Sequence, residues 1–253
     1  MDTLIQSIFI AAAIGFASGA VGTFVLLEHM ALAGDALAHV ALPGIALALL
    51  YGIDPFWGVI SFLIAAATVV WFIRTKTKLP SEALIGILFT TSLAVGILTI
   101  PDHEIIESLF GEFPVLSWGA FLSVVVAGIA LAVLLFARAR AFIFLNASRE
   151  LAKAYRIDAR TELLLLVVFA AIVALGIKLV GTLLMGALTI IPALIARNIA
   201  RSIKSYMVLS ALIGSAMSVF GVWIANQYHF LPGPTIVLLG VGLFAVSLLA
   251  IRR

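Results

Sequence analysis

The stretch Gly34-Asp35-Ala36-Leu37-Ala38-His39-Val40-Ala41-Leu42-Pro43-Gly44 decides how this chain is read. Small and apolar residues continue on both sides of it. They give a run over 31–51 long enough to cross a bilayer core of about 30 Å, which takes roughly 20 helical residues. Yet the run carries a carboxylate and an imidazole. An aspartate at the centre of a membrane helix costs on the order of 2.5–3.5 kcal/mol on insertion scales, so it is rarely retained without a use. Asp35 and His39 stand at i and i+4 and project from one helix face. An ionised carboxylate and a neutral imidazole form a two-point ligand set for a divalent metal. The alternative is a buried pair that only locks helix packing. Two ligands are too few for a closed site, and a dimer with this helix at its axis brings four together.

Pro43 stands four residues after His39 and has no N–H, so the His39 carbonyl loses its helical partner. Freed backbone at membrane depth is tolerated where protein or a water-filled cavity satisfies it. The sequence therefore predicts a kinked helix with a carboxylate, an imidazole and a free carbonyl, as part of an ion pathway. Pro192 repeats the device, freeing the carbonyl of Leu188 beside Thr189.

The whole chain agrees with a membrane setting. Of its 253 residues, 64% are hydrophobic and 11% charged, and its mean hydropathy is +1.27. Soluble domains have about 45–50% apolar and about 25% charged residues. The absence of cysteine excludes disulfides, iron–sulfur clusters and thiolate zinc sites. Apolar runs fall at 4–27, 31–51, 55–73, 80–100, 117–137, 161–179, 181–197, 205–227 and 233–251. The expectation is an all-α polytopic membrane protein, one domain over 1–253, with nine transmembrane helices; eight with one re-entrant segment is the alternative. Met1-Asp2-Thr3 has no basic n-region and no polar domain follows, so the first run reads as a retained helix rather than a signal peptide.

Basic residues orient these runs. If nine helices alternate, Arg74, Lys76, Lys78, Arg138, Arg140, Arg149, Lys153, Arg156, Arg160, Arg197, Arg201, Lys204, Arg252 and Arg253 all share one side, and Lys178 does not. That is the positive-inside pattern, placing the C-terminus in the cytoplasm and the N-terminus outside. The other side receives Asp2, Asp54, Asp102, Glu104, Glu107 and Glu112. Basic residues divided among four membrane-edge sites do not form a nucleic-acid surface.

Gly15, Gly19 and Gly22 in the first run, Gly34, Ala38, Gly44 and Ala48 in the second, and Gly181 and Gly186 in the seventh let helices approach closely. Lipid supplies no hydrophobic force between helices, so such faces supply packing. Glu28 and His29 lie at the cytoplasmic turn and read as interfacial charges, with an exit-side ligand as the lesser alternative. Asp102-His103-Glu104-Ile105-Ile106-Glu107 is HExxE and lacks the second histidine of a zincin, which excludes a metalloprotease of that type. It reads as a solvated acidic loop. His229, before Pro232, reads as a tight external turn. Residues 146–157 form a short helix outside the bilayer, with Asn146 as N-cap. That helix either rests on anionic lipid or docks a cytoplasmic partner.

Residues 34–48 closely resemble the signature of the zinc/manganese/iron ABC-transporter permeases. Leu109-Phe110-Gly111-Glu112, Ser148-Arg149-Glu150-Leu151-Ala152, Val180-Gly181-Thr182-Leu183-Leu184, Ile191-Pro192-Ala193 and Gly233-Pro234-Thr235-Ile236-Val237-Leu238 resemble further stretches of that family in the same order. The resemblance implies a homodimeric permease subunit of a type II importer in a prokaryotic plasma membrane. It implies a separate cytoplasmic ABC ATPase that binds ATP, and an extracytoplasmic metal-binding protein that delivers zinc or manganese, with iron a further candidate. Its intramembrane metal ligands map onto Asp35 and His39. Its ATPase-coupling helix maps onto 146–157, with Ser148, Glu150, Leu151, Ala154 and Arg156 at the contact. No catalytic residue and no permanently bound cofactor is implied. The chain departs from the family at Glu28 or His29, where a basic residue is frequent, at Arg156, where glycine is usual, and at His229, where aspartate is frequent. Other readings are an ion-coupled secondary carrier using Asp35, an intramembrane hydrolase, for which no Ser/His pair is found, and a vitamin or siderophore permease, which would need no metal ligands.

Overall fold

A computed structural model of the chain describes residues 2–28, 30, 33–77, 81–99, 109–110, 116–147, 159–182 and 184–250. Among the described residues every regular element is helical. The helices are α1 (Asp2–Leu27), α2 (Ala33–Val40), α3 (Leu42–Leu50), α4 (Pro55–Lys76), α5 (Ser81–Thr99), α6 (Trp118–Ala147), α7 (Ala159–Val180), α8 (Met185–Ile199), α9 (Ile203–Tyr228) and α10 (Pro232–Ser247), closed by a 3-10 turn at Leu248–Ala250.

Local chemistry sets several boundaries. Asp54 caps α4 by accepting a hydrogen bond from the Phe56 N–H at 2.8 Å, with Pro55 at the first helical position. Ser202 caps α9 by accepting from the Ser205 N–H at 3.2 Å. His229 ends α9 in the left-handed region at φ 55°. Its N–H donates to the Ala225 carbonyl, in agreement with the turn expected there.

Burial sorts the helices into centre and rim. The membrane-length window of α1 is 78% buried, whereas that of α6 is 17% buried. Leu122, Val126, Ile129 and Val133 of α6 form an exposed apolar stripe, a surface suited to acyl chains. The small residues of α1 meet α9 and α8 backbone to backbone. A methyl added at Gly15, Gly19 or Gly22 would collide with the carbonyls of Gly214, Ser210 and Thr189 respectively. The Ser210 hydroxyl donates to the Gly19 carbonyl, tying α9 to α1 at that contact. The small-residue stripe of α1 is thus a packing face, as expected from sequence.

Among the described residues five helices, α1, α4, α6, α7 and α9, are long and apolar enough to cross a membrane. The α2–α3 unit, α5, α8 and α10 are apolar but shorter, so helix length alone does not establish nine crossings. One expectation is corrected. Asn146 does not begin a separate helix; it and Ala147 belong to the last turn of α6. No proline interrupts 118–147, and its Ala, Leu and Arg residues favour continuing the helix over starting a new one. The coupling residues Ser148, Glu150, Leu151, Ala154 and Arg156 lie outside the described residues, as does the acidic stretch 102–107.

Candidate metal site

The predicted break in the second run is present. α2 ends at Val40, Ala41 makes a turn, and α3 restarts at Leu42 with Pro43 inside its first turn. The Ala41 N–H donates to the Ala38 carbonyl at 3.2 Å, and the Ile45 N–H donates to the Ala41 carbonyl at 3.0 Å. Helical pairing is therefore re-registered around the missing Pro43 donor. Pro192 behaves differently: α8 runs through it without a break. There the Thr189 hydroxyl folds back to the Met185 carbonyl at 3.1 Å.

Asp35 and His39 both lie on α2, on the helix face that the i,i+4 spacing predicts. His39 Nε2 is 4.0 Å from Asp35 Oδ1, too far for a direct hydrogen bond. Two ligands each about 2.0–2.2 Å from one ion lie at most about 4.4 Å apart, and about 3.4 Å apart at a tetrahedral angle. The pair is therefore spaced within reach of a shared cation, with a small rotamer adjustment closing it to tetrahedral. His39 is buried, and its Nδ1 has no hydrogen-bond partner. Its ring meets Phe89 of α5 edge-on, with centroids 5.2 Å apart. The Asp35 side chain keeps 45% of its surface exposed. Among the described residues no third His, Asp, Glu or Cys joins the two.

What fixes the start of α2 is a backbone contact. A Cβ built on Gly186 of α8 would lie 2.7 Å from Asp35 N and 2.8 Å from Asp35 Cα and Cβ. Only glycine at 186 permits this approach. The neighbouring Gly34 faces Gly186, Thr189 and the ring of Phe169 from α7. Sequence reading marked Gly34 and Gly186 as small residues but did not pair them, and it did not mark Phe89 or Phe169.

A second cluster went unnoticed from sequence. Arg74, near the end of α4, sits between Glu28, just past α1, and Glu162, in the first turn of α7. Its Nη1 contacts Glu162 Oε1 closely and lies 3.7 Å from Glu28 Oε2. Burial pushes the Glu28 carboxyl above its ordinary range; Arg74 pulls it down and Glu162 pushes it further up. The available signal was that all three charges fall at ends of apolar runs assigned to one face.

Five helices long and apolar enough to cross a membrane, packed with a broken helix that carries a polar pair, define a helical membrane protein. The profile of the ABC 3 transport family matches residues 1–251, and the chain belongs to that family. It is 32% identical over 248 residues to "Manganese import system permease protein ScaB" of Streptococcus gordonii, covering 96% of this chain and 89% of that protein. It is 30% identical over 240 residues to "High-affinity zinc uptake system membrane protein ZnuB" of Haemophilus influenzae, covering 92% and 91%. Among solved structures, "PsaBC from Streptococcus pneumoniae in complex with Fab" superposes with a TM-score of 0.85 at 30% identity, covering 98% of this chain and 91% of that one.

Proposed function

We propose that this chain is the permease subunit of an ATP-driven importer of a divalent transition metal, zinc or manganese, with iron a further candidate. The observation that carries the reading is the Asp35–His39 pair. Two metal-competent side chains, 4.0 Å apart, share a helix that breaks two residues after His39, in a bundle with helices long and apolar enough to cross a membrane. Family membership and the names of the relatives favour an ATP-driven importer over an ion-coupled carrier.

In this reading two copies of the chain face each other in the plasma membrane. Asp35 and His39 of each hold the cation briefly on its way between them. A few open ligands suit transit better than a closed cage, because the cation must also leave. ATP is bound and hydrolysed by a cytoplasmic partner seated on Ser148, Glu150, Leu151, Ala154 and Arg156. An extracytoplasmic binding protein delivers the metal. Pro43 keeps the His39 carbonyl out of the helical ladder and beside the route, and Pro192 does the same for the Leu188 carbonyl in α8. Oxygen and imidazole donors accept zinc, manganese and iron alike, so selection among them rests on geometry and delivery.

The test is co-purification with the ATPase, followed by metal counting and uptake in proteoliposomes. One metal per two chains and ATP-dependent uptake are expected. Asp35→Ala and His39→Ala should each lose both while inserting normally. Parent-like uptake by a well-inserted Asp35→Ala protein rejects the assignment.

A further inference from the structure

The Glu28–Arg74–Glu162 cluster joins three chain segments that have no other reason to share charges. Glu28 follows α1 and leads into α2; Arg74 closes α4; Glu162 opens α7. Their side chains are 9%, 22% and 15% exposed, so this is a partly buried group rather than a freely solvated rim. Met30, Leu165, Leu166, Phe24 and Phe169 line, with the three charged residues, a partly open cavity of about 20 Å³. That is room for about one water. Two carboxylates around one guanidinium leave a formal charge of −1 when all are ionised. Such a group is held only while the cation stays between the acids.

The cluster also reaches the start of α2. Glu162 and Phe169 are seven residues apart on α7 and therefore on one face of it. Phe169 lines the same cavity at one end and abuts Gly34, next to Asp35, at the other. From the other direction, Glu28 lies in the short connection between α1 and α2, where the Met30 N–H donates to the Val25 carbonyl at 2.9 Å. Arg74 pairs with both acids: its Nη1 contacts Glu162 Oε1 and lies 3.7 Å from Glu28 Oε2. The Glu28 limb is the one that bears on the α1–α2 connection.

We propose that Arg74 is the centre pin of a clamp that holds the basic face of the bundle shut, and that opening toward that face separates Glu28 from the Arg74–Glu162 pair. Arg74 is in this sense a positioning residue, acting on the metal site through Glu28 and Phe169. The proposal rests on the transport reading above, because a clamp matters only in a protein whose basic face opens.

The chain has no cysteine, so a single introduced thiol reports unambiguously. Met30 is 6% exposed and lines the clamp cavity. In the Met30→Cys protein, reconstituted without nucleotide, a membrane-impermeant maleimide added from the basic face should react slowly. Adding Arg74→Gln should speed labelling at least ten-fold. Glu28→Gln, which keeps the Arg74–Glu162 pair, should speed it about three-fold and serves if Arg74→Gln does not reach the membrane. The triple reversal E28R/R74E/E162R places one acid between two bases and should return the rate to within two-fold of the parent.

Unchanged labelling in the Arg74→Gln protein, or in Glu28→Gln where only that variant inserts, overturns the clamp. A triple reversal that labels as fast as Arg74→Gln also overturns it, because packing rather than charge would then be responsible. Labelling requires no transport. An Asp35→Ala protein with full uptake would therefore defeat the metal reading while leaving the clamp result standing on its own.

Discussion

Replacing Gly186 with alanine tests how α2 is held. The added Cβ would lie 2.7 Å from Asp35 N and 2.8 Å from its Cα and Cβ. These atoms are backbone or fixed to it and cannot swing aside as a side-chain tip would. Non-bonded carbons settle about 3.5–4.0 Å apart, so α2 and α8 must separate by about 0.7–1.2 Å. The Asp35 carboxylate moves with its helix by a similar amount. Overpacking of this kind costs about 1–3 kcal/mol. With Asp35 as the proposed metal ligand, disturbing the contact that orients it should cost about 10–100-fold in metal affinity, by analogy with the outer-shell partners of metal ligands. The Gly186→Ala protein should therefore insert, melt below the parent and bind zinc or manganese at least ten-fold more weakly by titration calorimetry. Gly242→Ala on α10 is the control, because an added Cβ there meets nothing within 4 Å. Parent-like melting and affinity in Gly186→Ala would refute the claim that this backbone contact sets the position of Asp35.

Two further outcomes follow from the same contacts. Pro43→Ala restores a donor for the His39 carbonyl and lets α2 and α3 join; because Pro43 stands in the first turn of α3, where proline is tolerated, the gain is well below the roughly 3 kcal/mol of a helix-interior proline. It should leave thermal stability unchanged or higher while cutting uptake several-fold, and uptake equal to the parent would show that the break is dispensable. Glu28 is held above the ordinary glutamate value of 4.5 chiefly by burial, so its folded form keeps a proton that the unfolded form releases. Its contribution to stability is complete below about 4.5 and is lost as pH rises through the raised folded value. Melting temperature should consequently fall less steeply with rising pH in Glu28→Gln than in the parent, and superimposable slopes would contradict this.

Legibility in the sequence followed the range of the interactions. The α2–α3 break was legible because its cause is local: Pro43 lacks the donor that His39 needs. The packing face of α1 was legible from Gly15, Gly19 and Gly22, but its partners on α9 and α8 were not. Any small-residue stripe suits any other, and the choice is made by the whole bundle. Asn146 misled for a related reason. A capping side chain starts a helix only where the preceding one has stopped, and nothing between Trp118 and Ala147 stops α6. The clamp was invisible because Glu28, Arg74 and Glu162 each look like an ordinary interfacial charge in isolation. Only their meeting, far apart in sequence, makes them a unit.

The contacts of α2 are unevenly distributed, and the unevenness bears on how the site works. Gly186 presses on its backbone from α8, Phe89 meets His39 from α5, and Phe169 backs Gly34 from α7. All three are apolar. The side bearing the Asp35 carboxylate is the one left half-exposed. A carboxylate facing acyl chains would carry the full insertion penalty of on the order of 2.5–3.5 kcal/mol, so that side calls for a water-filled conduit or a polar partner. In the dimer proposed above, a second copy across a twofold axis would supply both, with the open sides facing each other across the route. Coordination would then be a property of the pair of chains, and a displacement of α2 that begins at the basic face would alter the proposed ligand geometry in both halves at once.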